Sequence, residues 1–322
     1  MRAFAVAAIL AAAVAAAPLA AGREHKGCAP TAVTLPGPPG PLALDGSTLW
    51  VGIHRKTSGR LLALDAGNGR TLRSFPLPFD PLRIVPAFGS LWLTGQGGNR
   101  RYAGVVHVDP TTGKIVRVVR GKRALGTAIA ATASALWVVG PDIYPPGQPE
   151  RAGVYFVYKI DPRRGIVVTR YRLRSTVIDL LGDGHRLWVA GWYALVQLSE
   201  HGRVLLRHPI EGSAWSITKA PDGVWAAHTF LGRRGSGVPP PAFELFRVHG
   251  SRLDTIPLYA SPWLVSSARG VLWIAAGEYS HYVQRLDGPP VTVAGNVRNI
   301  QAMPGGAWIA QRGPNQLTKA CA

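Results

Sequence analysis

A tryptophan inside a short apolar frame returns seven times along this chain: Trp50 in TLWVG, Trp92 in SLWLT, Trp137 in ALWVV, Trp188 in RLWVA, Trp225 in GVWAA, Trp273 in VLWIA and Trp308 in GAWIA. The residues on either side of it are apolar in every copy. Eight positions upstream stand Leu42, Ile84, Ile129, Leu180, Ile217, Val265 and Ile300, again without exception. A unit this short cannot bury its own apolar face, so neighbouring units must stack and complete each other's core. The spacings between successive tryptophans are 42, 45, 51, 37, 48 and 35. They stay near the length of four strands while the connecting loops vary.

Each apolar run around the tryptophan is short and bounded by turn residues, as expected of a strand covered on both faces by its neighbours. Asp45-Gly46, Asp222-Gly223 and Gly305-Gly306 precede it and suit tight reversals. After it, most units offer a second strand pair around a turn, as in LLALDAGNGRTLRSF, VVHVDPTTGKIVRVV and FVYKIDPRRGIVVTRY. Asp65, Asp109 and Asp161 open those turns, where a carboxylate accepts the backbone N–H groups that follow. No Asp-rich loop points to calcium instead.

These units resemble the LWVA and DPxTG repeats of bacterial secreted seven-bladed propellers, a group that includes streptogramin lyase-like, NHL-like and PQQ-repeat-like proteins. The resemblance covers about residues 31–322 and lies in blade-building residues, so it speaks for fold and carries no complete active site. The expected fold is all-β: a seven-bladed β-propeller of four-stranded antiparallel blades. The last unit, NIQAMP, AWIAQ and NQLTKAC, is one strand short, and APTAVTLP at the N-terminus is one strand over. The N-terminal strand is therefore expected to close the ring by entering the last blade.

Residues 1–22 carry one Arg, an Ala-rich stretch and a small-residue end, the pattern of a secretory signal peptide, with 23–30 as an N-terminal segment. The expected location is secreted, periplasmic or cell envelope, with no membrane span in the mature chain. The two cysteines, Cys28 and Cys321, lie at opposite ends of that chain, where export and ring closure would join them as a disulfide. The net charge of +19 has two explanations, base composition favouring Arg codons or attraction to an anionic cell-envelope polymer. Basic residues are scattered in pairs without interleaved aromatics, so no specific nucleic acid is expected. A monomer is expected.

Ligands of propellers usually sit at the channel mouth, where a site on the ring axis must break the repeat. Ten residues before the tryptophan, two units place Trp215 and Trp263 and another Arg298. One position on, Arg83 and Asp179 stand among mainly small or apolar residues. Three residues after Trp225 comes His228, and the next unit follows its strand with Glu278 and His281. Trp215 and Trp263 beside His228 and Glu278 would stack and hydrogen-bond a sugar or aromatic ligand, or would pack between blades. Streptogramin lyase-like propellers use a His and Glu pair with a metal ion on this face, so that resemblance implies a metal-assisted lyase or hydrolase as the alternative. No spacing as specific as HExxH, no Ser-His-Asp set and no P-loop is present. The leading expectation is a non-enzymatic binding or protein-interaction propeller that calls for no cofactor. Its candidate ligand residues are Arg83, Asp179, Trp215, His228, Trp263, Glu278, His281 and Arg298, facing a small molecule, glycan or protein.

Overall fold

The computed structural model describes residues 31–55, 58–96, 102–121, 125–126, 128–140, 155–173, 176–229, 243–258, 260–276, 282–288 and 290–322. The expected signal segment, Cys28, Glu278, His281 and the long Pro- and Gly-rich loops at 141–153 and 230–242 lie outside the described residues. Strand β1 (Thr31–Thr34) is followed by β2 to β5 (Pro39–Asp45, Thr48–Arg55, Ser58–Asp65, Thr71–Leu77) and β6 to β9 (Asp80–Ala87, Ser90–Gln96, Val105–Val108, Ile115–Val119). Next come β10 to β13 (Ile129–Ala131, Leu136–Val139, Tyr155–Asp161, Ile166–Leu173) and β14 to β16 (Val177–Asp183, Arg186–Ser199, Val204–Ala220). β17 to β19 (Gly223–Thr229, Phe243–His249, Arg252–Leu258) and β20 to β23 (Pro262–Ala268, Val271–Ala276, Tyr282–Arg285, Pro290–Thr292) lead to β24 to β26 (Asn296–Met303, Gly306–Arg312, Gln316–Cys321).

All strand pairs are antiparallel meanders, giving a β-propeller whose blades are four-stranded: β2 to β5, β6 to β9, β10 to β13, β20 to β23, and β24 to β26 completed by β1. β1 lies outermost in that last sheet, with Thr31 opposite Lys319 and Thr34 opposite Gln316, so the N-terminal strand closes the ring.

The blade count departs from expectation. Six hydrogen-bonded sheets form instead of seven separate blades, because β14 to β19 make one six-stranded sheet. β15 and β16 are 14 and 17 residues long and run through what other sheets break with a loop. The cause is loop length. Trp192 and Tyr193 alone join the two halves of β15, and the ladder to β16 shifts register there, its partner jumping from Ser213 to Pro209, with Tyr193 at φ 65° and Gly212 of β16 at φ 100°, before pairing resumes. The spacing of 37 between Trp188 and Trp225 reflects this shortening.

Packing explains why the tryptophan frame recurs. Trp50 packs with Ile84, Leu91 and Leu93 of the next unit, Trp92 with Ile129, Leu136 and Val138, and Trp137 with Leu180, Leu187 and Val189. Trp188, Trp225 and Trp273 meet the equivalent triads around Ile217, Val265 and Ile300. Trp308 meets Leu42, Leu49 and Val51, which brings the series back to its start. The tryptophan of one unit thus fills the space over the apolar triad of its successor, and none of the seven is more than 3% exposed. An indole removes on the order of 150–250 Å² from water, roughly 4–6 kcal/mol each at 25 cal/mol per Å².

The Asp turns are structural. Oδ1 of Asp109 accepts the N–H groups of Thr111 (2.7 Å) and Thr112 (2.9 Å), and Asp65 and Asp161 repeat the pattern. Gly69, Gly113 and Gly165 follow at φ 76°, 70° and 63°, the left-handed conformation that completes the reversal. Cations from the preceding sheet reach carbonyls of these turns and of one near-equivalent: Arg73 to Pro110, Arg117 to Arg163, Lys159 to Glu200 and Lys319 to Gly67. Part of the large positive charge is therefore used in holding one sheet to the next.

Candidate functional site

The innermost strands β2, β6, β14, β16, β20 and β24 enclose a cavity of about 550 Å³ on the ring axis. Arg83, Asp179, Trp215, Trp263 and Arg298 all line it, so five of the eight residues proposed from sequence share one space. Asn299 and Gln301 add side-chain amides, and Ser216, Thr218, Ser266 and Ser267 add hydroxyls.

A backbone irregularity places the tryptophans and Arg298 there. Each of these six innermost strands shifts register against its partner within one short stretch, between Pro39 and Leu42, Pro81 and Arg83, Val177 and Asp179, Ala214 and Ser216, Pro262 and Leu264, and Val297 and Asn299. The residue left unpaired, ten before the repeat tryptophan, is Leu82, Ile178, Trp215, Trp263 or Arg298. A bulge residue sits outside the ladder and is re-aimed by the local kink. In the first sheet this place falls to Gly40, where a Cβ would lie 2.3 Å from Nε2 of His54, so any other residue requires the His54 ring to move. The bulges lie at the end of each strand away from the Asp turns, since Thr48 pairs with Asp65 at the opposite end of that sheet.

Most polar groups of the lining serve the ring itself. Oγ of Ser216 donates to the Val265 carbonyl (3.4 Å) and accepts its N–H (3.3 Å), while Thr218 and Ser267 hydroxyls meet at 3.2 Å. Ser266 accepts from the Ala302 N–H at 2.8 Å, and Asp179 Oδ2 accepts from the Ile217 N–H at 3.3 Å. These bonds lace β14 to β16, β16 to β20 and β20 to β24, where splayed innermost strands no longer form a ladder. Sequence reasoning missed these hydroxyls, because a lone Ser or Thr in an apolar strand carries no distinguishing pattern.

Trp215 and Trp263 stack on one another, ring centroids 4.7 Å apart and planes 28° from parallel. Nε1 of Trp215 and Nε of Arg298 are buried without a hydrogen-bond partner. Asp179 is surrounded by protein while keeping part of its surface on the cavity. Burial pushes its carboxyl above the ordinary range, against the opposing pull of Arg83 and the N–H groups of Leu180 and Ile217.

His228 lies elsewhere. It is 2% exposed in β17, its Nε2 bonds the Glu211 carbonyl, and it packs against the Phe246 ring with centroids 4.3 Å apart. Its Nδ1 is 3.4 Å from Oε2 of Glu244, its cross-strand neighbour in β18. Burial lowers its pKa, so the imidazole is neutral near pH 7. His228 is thus a packed histidine outside the cavity lining, and its carboxylate neighbour is Glu244. Among the described residues no group of three His, Cys, Asp or Glu side chains converges as a metal site.

Comparison with known proteins adds the fold. No protein-family model matches the chain, and no curated protein matches it. Solved structures do. The Pan2 WD40 domain of Neurospora crassa aligns over 90% of this chain and 94% of its own with a TM-score of 0.64 at 14% identity. BamB from Moraxella catarrhalis aligns over 88% and 83% with a TM-score of 0.54 at 13% identity. A chain of a mitotic checkpoint complex aligns over 98% and 99% with a TM-score of 0.68 at 11% identity. The chain has the β-propeller fold. At these identities the likeness is one of architecture alone.

Proposed function

We propose that this protein is an exported, non-enzymatic binding propeller that holds its ligand in the axial cavity. The observation that carries this reading is the convergence of Arg83, Asp179, Trp215, Trp263 and Arg298, each a departure from its repeat position, on one space of about 550 Å³. That volume falls in the ordinary range of small-molecule sites. Trp215 and Arg298 keep buried N–H groups with no partner, as Trp50, Trp188 and Trp273 do between units, but on the axis such a donor belongs to a residue that lines the cavity. The catalytic alternative relied on His228 facing Glu278, and His228 is occupied by the Glu211 carbonyl and Phe246. The anionic-polymer reading loses support where cations bond the turns of the next sheet.

Two finer readings belong with this proposal. The six-stranded sheet counts as two repeat units sharing β15 and β16, which makes seven units in the ring. Seven tryptophan-centred clusters support it, two of them on that sheet. Export follows from the leader-like pattern of residues 1–22 and from a Cys28–Cys321 disulfide. Supporting the disulfide, Cys321 is not a free thiol, and β1 begins three residues after Cys28 and pairs beside it. No helix among the described residues is long and apolar enough to cross a membrane.

The test is a ligand screen by thermal shift on the mature chain, since a ligand that binds only the folded state raises its stability. Hits should be lost in the Trp215→Ala/Trp263→Ala double variant. Hits that bind this folded double variant with unchanged affinity would move the site off the axis.

A further inference from the structure

We propose that the axial cavity is built for a small organic anion, its carboxylate or phosphate seated between Arg83 and Arg298 and its body against Trp215 and Trp263. This rests on the axial-cavity reading above and adds the chemical class of the ligand.

The argument is one of unmet donors. Two guanidinium groups line the cavity, and among the described residues neither has a carboxylate within ion-pair distance. Arg83 makes only a long bond, 3.3 Å, to the carbonyl of its neighbour Leu82. Nε of Arg298 and Nε1 of Trp215 are buried donors without acceptors. The two fully buried side-chain atoms of the lining left without a partner are therefore both N–H donors. The hydroxyls, by contrast, bond backbone or one another, and Oδ2 of Asp179 takes the Ile217 N–H. The buried Nε–H of Arg298 without an acceptor is costly, and an oxyanion meets the planar donor edge of a guanidinium with paired hydrogen bonds.

Charge points the same way. The lining holds two cations and one carboxylate, and that carboxylate is desolvated, which favours its neutral form and leaves the excess positive. A cationic ligand would meet an unfavourable field. A neutral ligand would leave both guanidinium groups without an ion pair. Arg73, Arg117 and Lys319, by contrast, reach carbonyls of the adjacent sheet.

The body of the ligand faces a mixed surface. The stacked indoles offer an apolar wall to a ring, and Asn299 and Gln301 offer amides to hydroxyls. Matched probes separate charge from body: glucose, glucuronate and glucose 6-phosphate, with benzyl alcohol, benzoate and benzyl phosphate as the aromatic set. Binding is read by the quench of tryptophan fluorescence and by thermal shift on the mature chain, wild type and Arg298→Gln.

The expected result is that at least one anion in a set binds wild type tenfold or more tightly than its neutral parent. Arg298→Gln should reduce that preference at least tenfold while keeping the wild-type circular dichroism. The carboxylate and phosphate arms then identify which oxyanion is preferred. If Arg298→Gln fails to fold, Arg83→Gln carries the same test. Neutral parents binding as tightly as their anions, or an anion preference unchanged in the variants, would overturn the anion assignment while leaving the axial cavity as the site. No response to any of the six probes would overturn the anion assignment, and hits elsewhere in the wider screen would then decide the cavity reading separately.

Discussion

Trp308→Phe should cost more stability than Trp273→Phe, although both residues occupy the same repeat position and both are at most 1% exposed. Each indole fills the triad of the following unit, so the loss of ring volume is matched and cancels in the comparison. The difference lies in the indole nitrogen. Nε1 of Trp308 donates to the Ala66 carbonyl at 2.9 Å, a buried bond across the seam where the last sheet meets the first. Nε1 of Trp273 is buried without a partner. Phenylalanine at 308 strands the Ala66 carbonyl, a penalty of about 1–3 kcal/mol, and phenylalanine at 273 removes an unsatisfied donor, a relief of about 1 kcal/mol. The two variants should therefore differ by about 2–4 kcal/mol. Equilibrium unfolding in urea reads this directly as a lower midpoint for Trp308→Phe at unchanged slope. Equal midpoints, or a lower one for Trp273→Phe, would show that the repeat tryptophans contribute by packing alone and that the seam bond has no net value.

Asp179→Asn should stabilise the protein at neutral pH. A carboxyl whose pKa is raised on folding binds its proton more tightly in the native state, so stability is fullest below its unfolded value and falls as pH rises through the folded one. Melting curves from pH 4 to 8 should show this decline in wild type and a smaller one in the variant, and parallel curves would contradict it. Asp109→Ala should lower the melting temperature without changing the affinity of any axial ligand, because Asp109 organises a turn at the far end of its blade; altered ligand affinity would contradict that assignment. Lys319→Met removes the 2.6 Å bond to the Gly67 carbonyl from a side chain 5% exposed, so it should destabilise by about 1–3 kcal/mol. Non-reducing mass spectrometry of the purified chain should find Cys28 linked to Cys321, and two alkylated thiols would refute the link.

What the sequence revealed best is what serves every unit. The tryptophan and the apolar residue eight before it are the two halves of each inter-unit contact, and their unbroken recurrence announced the packing later found in seven clusters. The surplus strand at the N-terminus was legible for the same reason, since the last unit could be counted as one short. Sheet boundaries were less so. Hydrogen bonding continues or stops according to how far a connection departs from the strand, and only the brevity of Gly191-Trp192-Tyr193-Ala194 hinted that β15 would run on. The bulges left no signature, because the misfit is in the backbone and residues as different as Gly40, Leu82, Trp215 and Arg298 accommodate it. The surroundings of His228 were not legible for want of register: it stands out along the chain, yet its neighbour Glu244 is set by strand pairing alone.

The recurring bulge separates two kinds of design freedom. Residues inside a ladder answer to their partners on both sides, so changing them disturbs the blade. The unpaired residue answers to neither, and the ring carries such a place at the same height on each of six innermost strands. Selectivity can then drift, or be engineered, at Ile178, Trp215, Trp263 and Arg298, the bulge residues that line the cavity, while the tryptophan interfaces stay untouched. A combinatorial library confined to those positions would sample many different axial sites on one unchanged scaffold.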